Sequence, residues 1–285
     1  MANYDWNGAA GSYLDPAQWT PNDVPLYGTD DTATIGAGAA TLSDAEPNNI
    51  TLVVGRDPTT IGDVPTLALS NAALGPDMTL DAAGIARLRV DGYDTNYGTI
   101  NAVPFADGQG PGQGTALLVT IGAESQLNQE GTIAVTNSTL AISGPGTLNN
   151  DGQIFIGPGS AGAFGQSTTG SGTITVDHAN VGLYNAASTQ TVDLLGGTLG
   201  TSPTLEATIK DWNNDGSLTF TPAVSVNSVQ FNQTSDAGGD LQLFGASGQV
   251  GDLRLLGTYT TADFTVTQSR QGASISVSGH PPLSA

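Results

Sequence analysis

The chain has 285 residues, 39 of them glycine and only 11% charged, enough for one long solenoid or two modest domains. Six Lys and Arg stand against 26 Asp and Glu, and the formal charge of −20 argues against nucleic acid and anionic membrane surfaces as partners. There is no cysteine, hence no disulfide framework or thiolate metal site, and no apolar run approaches the roughly 18 residues a membrane helix needs, so no membrane insertion is expected.

Residues 1–31 stand apart. Met1-Ala2-Asn3-Tyr4-Asp5 has neither a basic n-region nor an apolar h-region, so export would use a removed leader or another signal. Trp6, Tyr13, Trp19 and Tyr27 lie among glycines and prolines, with no alternation of strand length. The segment reads as a cap over the open end of a solenoid, the commoner use of large rings. The alternatives are a sugar-stacking platform, or an assembly segment that docks Trp6, Tyr13 and Trp19 on a second copy of the chain.

Trp6-x-Gly8-x-x-Gly11-x-Tyr13-x-Asp15-Pro16-x-x-Trp19, then Pro25 and Asp31-x-Ala33-x-Ile35, resembles the opening of autotransporter-like and related bacterial surface β-helix proteins. Tyr13 stands where a second Trp is commoner in that family. The resemblance implies an architecture and an exported protein, and says almost nothing about a ligand.

From 32 to 200, short alternating segments follow one another, among them Ile50–Val54, Ala86–Val90, Ala116–Ile121 and Thr191–Leu194. One phrase is repeated. Leu127-Asn128-x-x-Gly131-x-Ile133 returns as Leu148-Asn149-x-x-Gly152-x-Ile154, twenty-one positions on. Echoes at Gly98 and Gly172 lie thirty-three positions before Gly131 and twenty after Gly152, and the Gly/Pro-rich stretch 107–114 accounts for the longer step. A unit of about 20 residues cannot bury its own apolar face, but stacked copies can. The expectation is an all-β chain built on a parallel, right-handed β-helix of about eight coils, with Ile133, Val135, Ile142, Ile154, Ile156, Ile174 and Val176 inside. Residues 157–170 read as a loop standing off the rod, because they are poor in apolar residues.

Residues 201–279 read as a small C-terminal β domain with longer strands and returning aromatics, and 280–285 as a tail. Leu253-x-Leu255-x-Gly257-x-Tyr259, Phe264-x-Val266 and Gly272-Ala273-Ser274-Ile275 are similar to a module of large secreted proteobacterial surface proteins. Ala273 replaces the usual second glycine. This second resemblance again implies an exported surface or matrix protein.

Chemistry is sparse. Asp211, Asn213 and Asp215, followed by Gly216, match the first half of a calcium loop, but Pro222 stands where the closing acid belongs. Asn-Asp-Gly is also ordinary turn chemistry. No cofactor is expected beyond calcium at this loop. Asp30-Asp31 and Asp91–Asp94 are further acidic clusters that read as solvated turns. A β-helix polysaccharide lyase needs a basic catalyst, and Arg56, Arg87, Arg89, Lys210, Arg254 and Arg270 are the whole supply. Arg87 and Arg89 share one strand face beside Asp91. A hydrolase needs paired acids about 5–9.5 Å apart, and none is read at the coil register. A serine triad is disfavoured too, because Asp177 and His178 would point to opposite faces of a strand.

The function expected is an exported structural or adhesive protein, secreted or at the cell surface, that binds copies of itself head-to-tail into fibres or binds an extracellular polysaccharide. A polysaccharide-active β-helix enzyme and a trimeric, tailspike-like glycan binder are the alternatives.

Overall fold

A computed structural model describes residues 2–26, 31–48, 50–55, 63–103, 116–220, 224–270 and 272–280. Among these the regular secondary structure is nearly all strand, wound as a parallel β-helix. A first, 14-stranded sheet takes one strand per coil: Asn3–Trp6, Asp31–Ile35, Ile50–Val54, Thr79–Ala83, Thr99–Val103, Thr132–Val135, Gln153–Ile156, Thr173–Val176, Thr191–Leu194 and Thr208–Lys210. A second, 12-stranded sheet takes the next strand of every coil, from Ala10–Ser12 to Gly216–Phe220. A third sheet of 5 strands covers the middle coils only: Ala73–Leu74, Tyr93–Asn96, Gln126–Gln129, Thr147–Asn150 and Thr168–Thr169.

Alternation within each strand sends every second side chain inward, and register stacks like on like. Ile100, Ile133, Ile154, Ile174, Val192 and Ile209 form one inner column, and Val135, Ile156, Val176 and Leu194 another. All are buried. Each side chain so removed from water contributes roughly 1.5–3 kcal/mol.

The repeated glycine has a specific cause. A Cβ on Gly131 would overlap the carbonyl oxygen of Gly98; on Gly152, that of Gly131; on Gly172, that of Gly152. None of the three needs a left-handed backbone. The coils simply approach too closely at this corner for any side chain.

Three expectations are corrected. Residues 1–31 contain strands: Asn3–Trp6 pairs parallel with Asp31–Ile35, and Ala10–Ser12 with Ala39–Ser43, so winding starts at once. Residues 157–170 do not form a free loop. They carry the strands Ala161–Phe164 and Thr168–Thr169, paired with coils on both sides. Gly162 takes the inner position that Leu140 and Val181 fill in adjacent coils, and buried Phe164 occupies the next. Winding also continues past 200 through Gly216–Phe220. The insertion at 107–114 lies outside the described residues.

Both ends are closed by aromatic plugs. Trp19–Thr20 turns back antiparallel along Asn3–Trp6, placing Trp19 5.0 Å from both Trp6 and Tyr13. At the other end, Ser228–Ser235, Gly238–Gly245 and Gly248–Leu256 form an antiparallel meander that extends the first sheet. Gly272–Val277 and Phe264–Ser269 extend the second. Trp212, Phe231, Tyr259 and Phe264 fill the space between them, at centroid distances of 5.5 to 5.9 Å. The edge strand Ser228–Ser235 is blunted at its centre, where the Thr261 hydroxyl accepts the Phe231 N–H at 3.0 Å.

Candidate functional site: the outer face of the third sheet

The third sheet differs from the other two on both faces. Inside, its strands carry amides: Asn96, Gln129 and Asn150 are fully buried, and Gln190 joins them from a later coil. Asn96 Nδ2 donates to Gln129 Oε1 at 2.8 Å, and Asn150 Nδ2 to Gln190 Oε1 at 2.9 Å. Gln190 Nε2 in turn donates to the Asn150 and Thr169 carbonyls at 2.6 and 2.9 Å. These bonds offset the cost of burying amides and tie coil to coil.

Outside, register gives two columns. Tyr93, Gln126 and Thr147 form one, and Thr95, Asn128, Asn149 and Thr169 the other. Neighbours in these columns are joined. Gln126 Nε2 and Asn149 Nδ2 both donate to Asn128 Oδ1, and Thr169 Oγ1 donates to Asn149 Oδ1 at 3.2 Å. The result is a row of fixed amides and hydroxyls on a rigid sheet.

At the N-terminal side this sheet stops. Ala73–Leu74, its last assigned strand, has two residues, and the coil before it meets it through the Ala45 and Pro47 carbonyls, which accept the Ala73 and Gly75 N–H groups at 3.1 and 3.0 Å. Over these coils lies a groove of about 430 Å³ lined by Asp44, Ala45, Glu46, Asn71, Ala72, Ala73, Tyr93, Thr95 and Tyr97. Tyr93 is 67% exposed and Tyr97 42%, large values for rings on a rod whose other aromatics are mostly buried. Asp44 and Glu46 are exposed, and no Lys, Arg or His lines the groove. Behind Tyr93, Asp94 is fully buried. Its Oδ1 accepts the N–H of Ala72, a groove residue, at 2.7 Å, while Oδ2 has no partner. Burial pushes the Asp94 carboxyl above its ordinary range, against the pull of the Ala72 and Gly92 N–H groups.

Flat aromatic faces, fixed amides and carboxylate acceptors are the groups that hold sugars. Rings stack on the apolar face of a pyranose, and amides and acids bond its hydroxyls. Compared with known proteins, the chain matches no family model and no curated sequence. The reading therefore rests on geometry.

The residues singled out by sequence fall elsewhere. Trp6, Tyr13 and Trp19 are buried in their own chain, and each spends its polar atom there. Trp6 Nε1 donates to the Ala9 carbonyl, Tyr13 OH to that of Pro25, and Trp19 Nε1 to that of Tyr13. Burial raises the Tyr13 phenol far above its usual value. Asp211, Asn213 and Asp215 are each committed to a different partner. Asp211 lies 3.7 Å from Lys210 Nζ, Asn213 closes the loop on the Asp215 N–H and the Leu195 carbonyl, and Asp215 lies 3.9 Å from His178. Among the described residues, no group of three His, Cys, Asp or Glu side chains is placed to hold a metal ion.

Arg87 and Arg89 do share an outer face, and Arg89 Nε pairs with Asp91 at 2.6 Å. Arg56 and Asp30 lie outside the described residues, whereas Asp31 Oδ1 accepts the Ala2 N–H at 2.5 Å. Asp177 and His178 do meet, at 2.6 Å, because His178 sits at φ 50° in a turn rather than in a strand. One acid pair does recur at the coil register: Glu130 and Asp151 follow Gln129 and Asn150, which pair in register. Asp151 is held below its ordinary pKa by the Ser171 N–H and hydroxyl, opposite to what a general acid needs. His280, expected in a tail, is tied down. Its N–H donates to Asn214 Oδ1, its ring packs tilted against Tyr259 at 4.5 Å, and Nε2 lies 3.2 Å from Asp263.

Tyr93 and Tyr97 escaped the sequence reading because their strand inverts the usual pattern. Its inner residues are Asp94 and Asn96, its outer ones are Tyr93 and Thr95, and Tyr97 directly follows it. The available signal was positional. Asn96, Gln129 and Asn150 each stand two residues before a repeat glycine.

Proposed function

We propose that this protein is an exported structural and adhesive component of a bacterial surface or extracellular matrix, and that it binds polysaccharide along its flank. The observation that carries the reading is the pair of exposed rings, Tyr93 and Tyr97, beside a hydrogen-bonded row of amides on a rigid sheet. Closure of both ends by the chain's own aromatics supports the flank, rather than the ends, as the working surface. The rod supplies a preorganised face at little entropic cost, as adhesion to a repetitive polymer requires. Local pairing of acids with bases, as in Arg89–Asp91 and Lys210–Asp193, supports a non-catalytic role.

Affinity electrophoresis of the full chain through gels carrying different polysaccharides tests this. Retardation by at least one glycan, diminished in the Tyr93→Ala/Tyr97→Ala variant, is expected. Unchanged mobility in neutral, N-acetylated and amine-bearing polysaccharides alike would overturn it.

A further inference from the structure

We infer that the groove beside Tyr93 and Tyr97 takes a cationic glycan, an oligomer of amino sugars carrying free ammonium groups. This rests on the glycan-binding reading above and names its ligand class.

Charge selects the ligand. Asp44 and Glu46 stand in the groove with the two rings, and no basic side chain lines it. The whole chain carries −20, with only six Lys and Arg. Such a field raises the local concentration of cations and disfavours uronate or sulfate polymers. The rings act in the same sense, because the face of a tyrosine attracts an ammonium group. A protonated amino sugar therefore meets three matched features: an aromatic face for its ring, carboxylates for its ammonium, and amides for its hydroxyls. A neutral sugar would leave the carboxylates with hydroxyl partners alone.

Length follows from the strand. Tyr93 opens the strand Tyr93–Asn96 and Tyr97 directly follows it, four residues on, about 13 Å at the rise of a β-strand. That exceeds one pyranose ring, so two or more consecutive sugars are needed to touch both. The outer row of Gln126, Asn128 and Asn149 continues the polar surface onto the following coils.

Isothermal titration of the full chain with glucosamine hexamer, its fully N-acetylated counterpart and cellohexaose, at a pH that protonates the amine, decides the matter. The glucosamine oligomer is expected to bind about tenfold tighter or more than either neutral oligomer, and to weaken in added salt. Tyr93→Ala and Tyr97→Ala should weaken all ligands. Asp44→Asn with Glu46→Gln should weaken glucosamine binding more than neutral binding, and so remove the preference for glucosamine. Thermal melts confirm that these surface variants stay folded. Equal affinity for neutral and cationic oligomers, both lost in the tyrosine variants, would overturn this inference and leave the glycan reading standing. Glucosamine binding indifferent to all four substitutions would mean general attraction to an acidic surface, and would overturn the assignment to the groove. No binding of any oligomer would overturn both.

Discussion

Asn150 and Gln190 join two coils that are not neighbours. Asn150 Nδ2 donates to Gln190 Oε1 at 2.9 Å, forty positions along the chain, across a coil in which Gly170 holds the corresponding place. A Cβ on Gly170 would overlap the Asn150 carbonyl, so no amide fits there, and the longer glutamine reaches past it. Asn150→Ala would leave Gln190 Oε1 without this donor, at a cost of about 1–3 kcal/mol. A double-mutant cycle with Gln190→Ala should give a coupling of about 0.5–3 kcal/mol by denaturant unfolding. Additive losses would show that the bond is incidental.

Close approach of backbones at the repeat corner makes a sharper prediction. Gly152→Ala should destabilise by about 1–3 kcal/mol, because the new methyl meets the Gly131 carbonyl. Gly36→Ala, where nothing lies within 4 Å of an added Cβ, should fall within about 0.5 kcal/mol of the parent. Similar melting temperatures for the two variants would contradict the stacked corner.

The inner columns predict the largest loss. Ile154 is fully buried between Ile133 and Ile174. Ile154→Asp places an unpaired carboxylate there and should cost more than about 4 kcal/mol. Cooperative unfolding at the parent temperature would remove Ile154 from the core.

Deleting residues 1–30 strips the first coil together with its plug. The strands Asp31–Ile35 and Ala39–Ser43 then become edges, and the ends of Ile35 and Leu42 lose their cover. Light scattering should report stronger concentration-dependent association of the shortened chain than of the intact chain. A shortened chain that stays monomeric would show that the plug does not guard this end.

Acid should act in two opposed ways. Asp263 is held below its ordinary pKa chiefly by the Thr260 N–H, with help from His280, and Asp151 chiefly by the Ser171 N–H. Their contributions are present above the unfolded carboxylate value of about 3.9 and are lost as pH falls through the depressed folded values. Asp94 runs the other way. Its folded pKa is raised, so its contribution is full below about pH 3.9 and is lost as pH rises through the folded value. The Asp94→Asn variant should therefore gain most on the parent near neutral pH, and the difference should shrink on acidification below about pH 4. A stability difference independent of pH would mean that Asp94 does not titrate with folding.

Short-range regularities were legible without coordinates. Alternation at Ile133–Val135 and Ile154–Ile156 reports strands and their inner face, and a glycine recurring every 20 or so residues reports coils. Eight of the ten coils fall between Asp31 and Thr201, as the spacing implied. Residues 161–164, by contrast, become a strand because neighbouring coils offer a partner on each side, although Ala-Gly-Ala-Phe shows little preference of its own.

The sequence by itself determined the all-β solenoid and the identity of its inner columns, because strand alternation and coil length are properties of contiguous residues. Tertiary structure alone decided that Trp19 plugs one end, that Asn150 meets Gln190, and that Tyr93 and Tyr97 flank an acidic groove. Each of those depends on which coil lies beside which. That is set by packing between residues twenty or more positions apart. A strand whose inner residues are Asp94 and Asn96 carries no local sign of which face will meet solvent.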